Sequence, residues 1–159
     1  MVELDIRPPQ PGEDPGGTGL TAQFWNNPDF AGDPVVTRTD PGVNYNWKFT
    51  GSPDPAVPAD GFSARWTGSV QPRFTEDYKI TTVSDDTVRL WIDDRLVIDN
   101  TTPHEGAIDS ATVRLEAGKR HAVRLEQTER DGEAAVKLLW SSPNVTQRII
   151  ASNELFPAG

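Results

Sequence analysis

Two adjacent carboxylates, Asp85 and Asp86, give the clearest chemical signal in the sequence. Neighbouring side chains of an extended strand point to opposite faces, so adjacent aspartates in a regular strand would not bind the same ligand. A cis peptide would shorten their Cα–Cα separation to about 2.9 Å and can bring both carboxylates to one side. Such a bond costs about 3–4 kcal/mol, and the two anions also repel each other. A hard divalent cation held by both carboxylates would offset these penalties.

The residues that follow the pair predict a β-hairpin. Apolar residues occupy every second position from Val88 to Ile92, as in a half-buried strand, and a return strand begins at Leu96. Asp93 and Asp94 fall at the predicted tip, where aspartate is suitable because it tolerates positive φ. The carboxylate pair is therefore expected at the start of a strand.

Alternation of apolar and polar residues also predicts the rest of the fold. No segment has the apolar stripe of a helix over three turns. Many short alternating strands separated by turn residues indicate an all-β sandwich or barrel with long surface loops. The predicted inward-facing residues are Phe62, Ala64, Trp66, Tyr78, Ile80, Thr82, Val113, Leu115, Val123, Leu125, Val136, Leu138 and Trp140.

A long irregular segment is predicted between residues 40 and 60, where proline, glycine, asparagine and aspartate are frequent. We expect it to coat the core and to be held there by Tyr45, Trp47 and Phe49. Trp25 and Trp47 have the ring size to stack on a sugar, although packing in the core is the favoured interpretation.

The composition argues against several classes of partner and site. A formal net charge of −9 disfavours nucleic acid and anionic membrane surfaces, both of which attract clustered basic residues. The absence of cysteine excludes thiol chemistry and zinc–thiolate sites. No nucleophile motif accompanies the two histidines, and His121, at the start of a strand, is interpreted as structural. We therefore predict a protein without enzymatic activity.

The length of 159 residues suits one domain, with a monomer as the default state. Residues 1–17 are rich in proline and glycine, which predicts a linker followed by a domain over residues 18–159. No run of 18 apolar residues is present, so no membrane span is predicted. The acidic residues near Met1 are unlike a signal peptide.

Three separated motifs resemble the PA14 domain family and occur in the family's order. They are the segment Ser84–Asp93 around the carboxylate pair, the segment Gly61–Gly68 before it, and the segment Ser152–Pro157 near the end. The resemblance extends from about Gly19 to Pro157. It implies a β-sandwich that is part of a secreted or cell-surface multidomain protein, and hence an extracellular location with neighbouring domains.

The resemblance also implies a ligand. In the calcium-dependent lectins of the PA14 family, an Asp-Asp pair with a cis peptide holds Ca²⁺, and the ion binds vicinal sugar hydroxyls. Asp85 and Asp86 match that pair by position. Calcium accepts about six to eight oxygen ligands, which leaves places for two hydroxyls. Lectin relatives supply further oxygens from a later loop, which corresponds to residues 128–134 here.

The resemblance thus predicts a metal site and a carbohydrate contact surface that share the carboxylate pair. The predicted metal ligands are Asp85, Asp86, Asp131 and Glu133. The predicted carbohydrate-contacting residues are Asp85, Asp86, Glu129, Arg130 and Gly132.

One departure and two alternatives accompany this prediction. Thr87 stands where family members commonly have glycine, which predicts a differently shaped loop because a β-branched residue disfavours unusual φ. The 128–134 loop is equally compatible with a charged hairpin tip exposed to water. The whole domain is compatible with a structural or regulatory spacer that has no ligand of its own.

Overall fold

The computed structural model describes residues 14–47, 53–58, 60–85, 87–101, 107–130 and 134–158. In these ranges the backbone forms twelve β-strands and one short 3₁₀ turn, which confirms the all-β prediction. None of the described residues belongs to a helix long and apolar enough to cross a lipid bilayer.

The strands follow one another in short steps. In chain order they are β1 (Leu20–Trp25), β2 (Val36–Asp40), β3 (Asn44–Trp47), β4 (Phe62–Val70), β5 (Glu76–Asp85), β6 (Thr87–Ile92), β7 (Arg95–Asn100), β8 (Ala107–Leu115), β9 (His121–Glu129), β10 (Ala134–Ser142), β11 (Val145–Ile149) and β12 (Leu155–Pro157), with the 3₁₀ turn at Ser152–Glu154 before β12.

Two antiparallel sheets form a sandwich. The first has the order β2-β1-β4-β9-β6-β7, with β12 paired to the end of β4 beyond β1. The second has the order β11-β10-β5-β8, with β3 paired to the first half of β10. Consecutive strands β5 and β6 belong to different sheets, so the chain changes sheet between them.

The core lies between the sheets and is built from the predicted alternating residues. Phe62, Ala64 and Trp66 of β4 are all fully buried, because every second residue of a strand faces the opposite sheet. Trp66 packs edge to face on Phe24, with ring centroids 5.8 Å apart. Tyr78 packs on Trp140 in the second sheet, with centroids 4.6 Å apart.

The β6–β7 hairpin has the predicted turn. Asp93 and Asp94 have φ values of 51° and 65°, which a tight two-residue hairpin requires. The Asp93 carboxylate accepts hydrogen bonds from Nδ1 of His121 at 2.7 Å and from the backbone N–H of Ala122 at 3.0 Å. Nε2 of His121 accepts from the backbone N–H of Glu116 at 3.1 Å. The ring is buried and fully engaged, as a structural role requires.

The prediction of irregular structure between residues 40 and 60 is wrong in part. Asn44–Trp47 forms β3, which pairs with the first residues of β10. Proline and asparagine conceal this strand in the sequence, since its extended form is set by the neighbouring strand more than by local propensity. Tyr45 stacks on Trp66 at a centroid distance of 6.3 Å, as expected for an anchor. Phe49 and the side chain of Trp47 lie outside the described residues.

The chain joins the fold at Gly17. Its backbone N–H donates to the carbonyl oxygen of Asn153 at 2.7 Å. A side chain could not be accommodated here, because a Cβ on Gly17 would lie 2.1 Å from the carbonyl oxygen of Leu155. Most of the predicted linker, residues 1–13, lies outside the described residues.

Candidate calcium and carbohydrate site

The carboxylate pair lies where the chain passes from one sheet to the other. Asp85 is the last residue of β5 and faces Ala135 of β10 in the second sheet. Thr87 is the first residue of β6 and faces Thr128 of β9 in the first sheet. The two threonine hydroxyls are hydrogen-bonded to each other. Thr87 therefore has a place in a regular strand, and the residue type that departs from the family pattern is well suited to it.

A buried glutamine anchors the end of β5. Gln127 of β9 is fully buried between the sheets, and its Nε2 donates to the backbone carbonyl oxygen of Asp85 at 2.7 Å. Its Oε1 is also buried and has no hydrogen-bond partner in the described part of the chain. Asp85 itself is 6 % exposed. The passage from β5 to β6 is thus held by the side-chain amide of Gln127. Its nitrogen is hydrogen-bonded, and its oxygen can still accept a hydrogen bond.

Glu129 lies on the same inward face, two residues further along β9 than Gln127. Glu129 follows Thr128, which pairs with Thr87 at the start of β6. Because β6 and β9 are antiparallel, Glu129 lies beyond that start, toward the end of β5. The side chain is 0 % exposed. The predicted loop over residues 128–134 is shorter in the structure, because β9 continues through Glu129 and β10 begins at Ala134.

The remaining predicted site residues separate into two groups. Asp86, Asp131, Gly132 and Glu133 lie outside the described residues, and so does the Asp85–Asp86 peptide geometry. The Arg130 side chain is 60 % exposed, with Nη2 3.9 Å from Oδ1 of Asp29. Within the described ranges, no group of three or more His, Asp or Glu residues could hold a metal ion. Among the predicted residues that the structure describes, Asp85 is hydrogen-bonded through its backbone carbonyl to Gln127, and Glu129 lies two residues further along β9 than Gln127.

The side chains of Asp85, Gln127 and Glu129 all carry oxygen atoms that can act as metal ligands. Carboxylate oxygens of Asp85 and Glu129 and the amide oxygen of Gln127 are hard ligands, which calcium prefers over nitrogen and sulfur. Burial of an ionised carboxylate costs several kcal/mol unless cations or hydrogen-bond donors compensate it. Carboxylate and amide oxygens are ligand types that suit a calcium ion.

An open cleft of about 380 Å³ adjoins this end on the outer face of the first sheet. It is lined by Pro28, Asp29, Phe30, Thr87, Arg89, Thr101, Glu126, Thr128 and Arg130. One wall is the loop after β1, where Oδ1 of Asn27 accepts the backbone N–H groups of Asp29 and Ala31, both at 3.0 Å. Hydroxyls, guanidinium groups and carboxylates with an aromatic edge are typical of carbohydrate-binding surfaces.

The tryptophan nearest this loop belongs to the core. Trp25 is 4 % exposed, packs edge to face on Phe30 at 5.3 Å, and donates from Nε1 to the carbonyl oxygen of Gly32 at 2.9 Å. Core packing, the favoured interpretation for Trp25, is confirmed.

Comparison with known proteins identifies the family to which this geometry belongs. The family model for the PA14 domain matches residues 16–154. The chain belongs to the PA14 domain family. The match covers β1 to β11, including the passage between β5 and β6 and the end of β9.

The similar proteins include anti-sigma factors and adhesins. The anti-sigma-I factor RsgI3 of Acetivibrio thermocellus is 39 % identical over 142 residues, which are 89 % of this chain and 22 % of that protein. A solved anti-sigma factor domain-containing protein superposes with a TM-score of 0.85 at 38 % identity, over 89 % of this chain and 49 % of that one. This PA14 domain thus spans about a fifth to a half of these relatives.

The adhesins share the fold at lower identity. The A domain of Epithelial Adhesin 6 from Candida glabrata, solved in complex with Galβ1-3GlcNAc, superposes with a TM-score of 0.70 at 13 % identity. That alignment covers 95 % of this chain and 92 % of the adhesin domain. At this identity the similarity establishes the shared fold.

Sequence reasoning did not identify Gln127. The signal was present in the strand pattern, because Gln127 and Glu129 continue the inward series begun by Val123 and Leu125. Two polar residues at consecutive inward positions of an otherwise apolar face indicate a buried polar cluster. These two residues lie at the end of β9.

Proposed function

We propose that this PA14 domain is a non-catalytic carbohydrate-binding module that recognises sugar hydroxyls through a bound calcium ion. In this proposal Asp85 and Asp86 hold the ion, and Asp131, Glu133 and the end of β9 complete its coordination. The observation that carries the proposal is the buried hydrogen bond from Gln127 to the backbone carbonyl of Asp85, placed where the chain changes sheet and beside an open polar cleft.

Two features of this end of the sandwich support the proposal. Gln127 Oε1 is a buried acceptor without a partner among the residues that the structure describes, and such atoms are uncommon in well-satisfied folds. A metal ion is one of the species that can satisfy such an amide oxygen. Glu129 is completely buried two residues further along the same face of β9, and we propose that its carboxylate ligates the ion or positions Asp85.

The adjoining cleft supplies the saccharide contacts. Thr87, Thr128 and Arg130 line its side nearest the passage between the sheets. Arg130, predicted to contact carbohydrate, is exposed there and can donate to hydroxyl oxygens. Gly132, by its place in the same loop sequence, is proposed as a backbone contact.

The anti-sigma factor relatives suggest the setting of the module. We infer an extracellular domain of a larger protein in which carbohydrate binding is coupled to regulation by neighbouring domains. The net charge of −9 accords with a neutral glycan as partner and disfavours nucleic acid and anionic membranes. The same relatives favour the second candidate, a regulatory spacer without a ligand.

Calcium titration by calorimetry, in metal-free buffer and with EDTA, followed by a glycan array, tests the proposal. We expect calcium binding in wild type and array signals that EDTA abolishes. Asp85→Asn should lose calcium affinity, while Asp94→Asn, at an exposed turn position with φ of 65° that asparagine tolerates, should retain it. A flat titration at millimolar calcium would refute the calcium site and favour the spacer.

A further inference from the structure

The outer face of the first sheet has a line of side chains that begins at the candidate site. Thr87, Arg89 and Trp91 are alternate residues of β6, and each faces a residue of β9 across the pairing: Thr128, Glu126 and Arg124 respectively. We call these six residues the β6–β9 track. At about 3.3 Å per residue, the track extends about 13 Å from Thr87 to Trp91. One monosaccharide cannot cover this length, but several linked units can.

Both ends of the track are concave. The cleft of about 380 Å³ lies at the end formed by Thr87 and Thr128. A smaller depression of about 40 Å³ lies at the other end, where Trp91 and Arg124 line it with Asp94. The track therefore joins two depressions on one sheet face, so a chain-like ligand could occupy both at once.

The charges along the track are paired. Glu126 accepts from Nε of Arg65 at 2.7 Å and from Nη2 of Arg124 at 2.8 Å. Arg89 Nε donates to Asp99 at 3.1 Å. Paired groups of this kind offer donors and acceptors to hydroxyls without attracting a strongly charged polymer. A neutral glycan matches this surface better than a polyanion.

Trp91 differs from the other tryptophans whose side chains are described. Trp25, Trp66 and Trp140 are buried, whereas Trp91 is partly exposed on the sheet surface. The guanidinium of Arg124 lies 4.5 Å from the centre of its ring. This contact covers one face of the ring and holds the indole in place, which reduces the entropy that a ligand packed on the exposed part of the ring would otherwise have to overcome.

We propose that the β6–β9 track is an extended subsite for an internal stretch of a neutral polysaccharide, with Trp91 as the stacking surface at the far end. The proposal rests on the carbohydrate-binding function proposed above and adds the ligand class. The module then recognises several consecutive sugar units along β6, in addition to the unit held at the calcium ion.

Chain-length dependence of binding tests this proposal. We would titrate wild type with cello-, xylo-, manno- and galacto-oligosaccharides of one to six units, at saturating calcium. Affinity should rise with chain length for the series that binds. Trp91→Ala should remove this gain, with a loss of about tenfold for the longest members and no change for the monosaccharide or for calcium. Trp91→Phe should retain most of the gain.

A matched control is available on the same sheet face. Phe156 of β12 is also covered by a guanidinium, with Arg120 3.7 Å from its ring centre, but it lies outside the track. Phe156→Ala should leave the length dependence unchanged. Thermal unfolding of each variant identifies loss of folding, and the Trp91→Phe variant provides the comparison if Trp91→Ala is unstable.

The outcomes separate this inference from the proposed function. Calcium-dependent binding with no length dependence, or with equal affinities for wild type and Trp91→Ala, would overturn the track and leave the calcium site. Length-dependent binding that needs Trp91 but persists in EDTA and in Asp85→Asn would support the track and overturn the calcium proposal. Absence of binding to all four series, with and without calcium, would overturn both.

Discussion

Replacement of Gln127 by methionine tests the importance of the anchor at the end of β5. Methionine has a similar length and shape but no amide. The variant loses the 2.7 Å hydrogen bond from Nε2 to the Asp85 carbonyl oxygen and also removes the unpartnered Oε1. The buried volume is nearly conserved, so the effect of the change is confined to polar interactions.

The two polar effects oppose each other in stability. Leaving a buried carbonyl oxygen without its donor costs about 1–3 kcal/mol. Removing an amide oxygen that is buried without a partner recovers part of this cost. We therefore expect a net loss of about 1 kcal/mol in the free energy of unfolding, which lowers the melting temperature of a domain of this size by about 2–4 °C.

The expected effect on calcium is larger. Gln127 holds the backbone of Asp85, and loss of a group that orients a metal ligand typically weakens affinity about 10- to 100-fold. If Oε1 also ligates the ion, the loss should lie at the upper end of that range. Isothermal calorimetry with calcium and thermal unfolding in EDTA measure the two effects separately.

The same substitution at another glutamine provides the control. Gln71 is also buried, but it follows β4 at the opposite end of the sandwich, where its backbone N–H donates to Glu154. Gln71→Met should leave calcium affinity unchanged whatever it does to stability. Wild-type calcium affinity in Gln127→Met would refute the argument that this glutamine positions the site.

Three further predictions concern the scaffold. Glu154 is fully buried and accepts two hydrogen bonds from Arg148 at 2.7 and 2.8 Å. Glu154→Gln should lower the free energy of unfolding by about 2–3 kcal/mol, as measured by urea unfolding. This is near the lower limit for breaking a buried ion pair, because Arg148 can still reach water. Asp93→Ala should cost about 2 kcal/mol in the same assay, because it removes the bond to His121 and places alanine at positive φ; Asp93→Asn should cost less. Burial, with the nearby Asp40 carboxylate, raises the pKa of Tyr45 to about 12, so the unfolded chain releases the phenolic proton first and stability should fall as the pH rises from about 10 to 12. Tyr45→Phe should reduce this slope, and an unchanged slope would contradict the assignment.

The sequence predicts the strands well where burial is one-sided. Alternation along β4 and β9 identifies the inward residues, because a strand packed on one face must place an apolar residue at every second position. The turn at Asp93 and Asp94 is predictable for a different reason, since few residue types accept two successive positive φ angles. Local chemistry is sufficient in both cases.

The sequence does not reveal features that depend on distant partners. β3 is extended because β10 provides its hydrogen bonds, and its own residues favour turns. Arg130 follows a strand whose end cannot be located from the pattern, because the inward face becomes polar at Gln127 and Glu129. The candidate site lies in that region, where alternation of apolar residues no longer marks the strand.

The position of the polar interior supports a functional end of the sandwich. Elsewhere, buried carboxylates have basic or indole partners: Asp40 accepts from Arg38 at 2.7 Å and from Nε1 of Trp66 at 2.9 Å, as Glu154 does from Arg148. At the end of β9, by contrast, the amide nitrogen of Gln127 is committed to a backbone carbonyl and its oxygen remains an open acceptor. This acceptor lies at the end of the sandwich beside the open cleft, and an amide oxygen is a ligand type that calcium accepts.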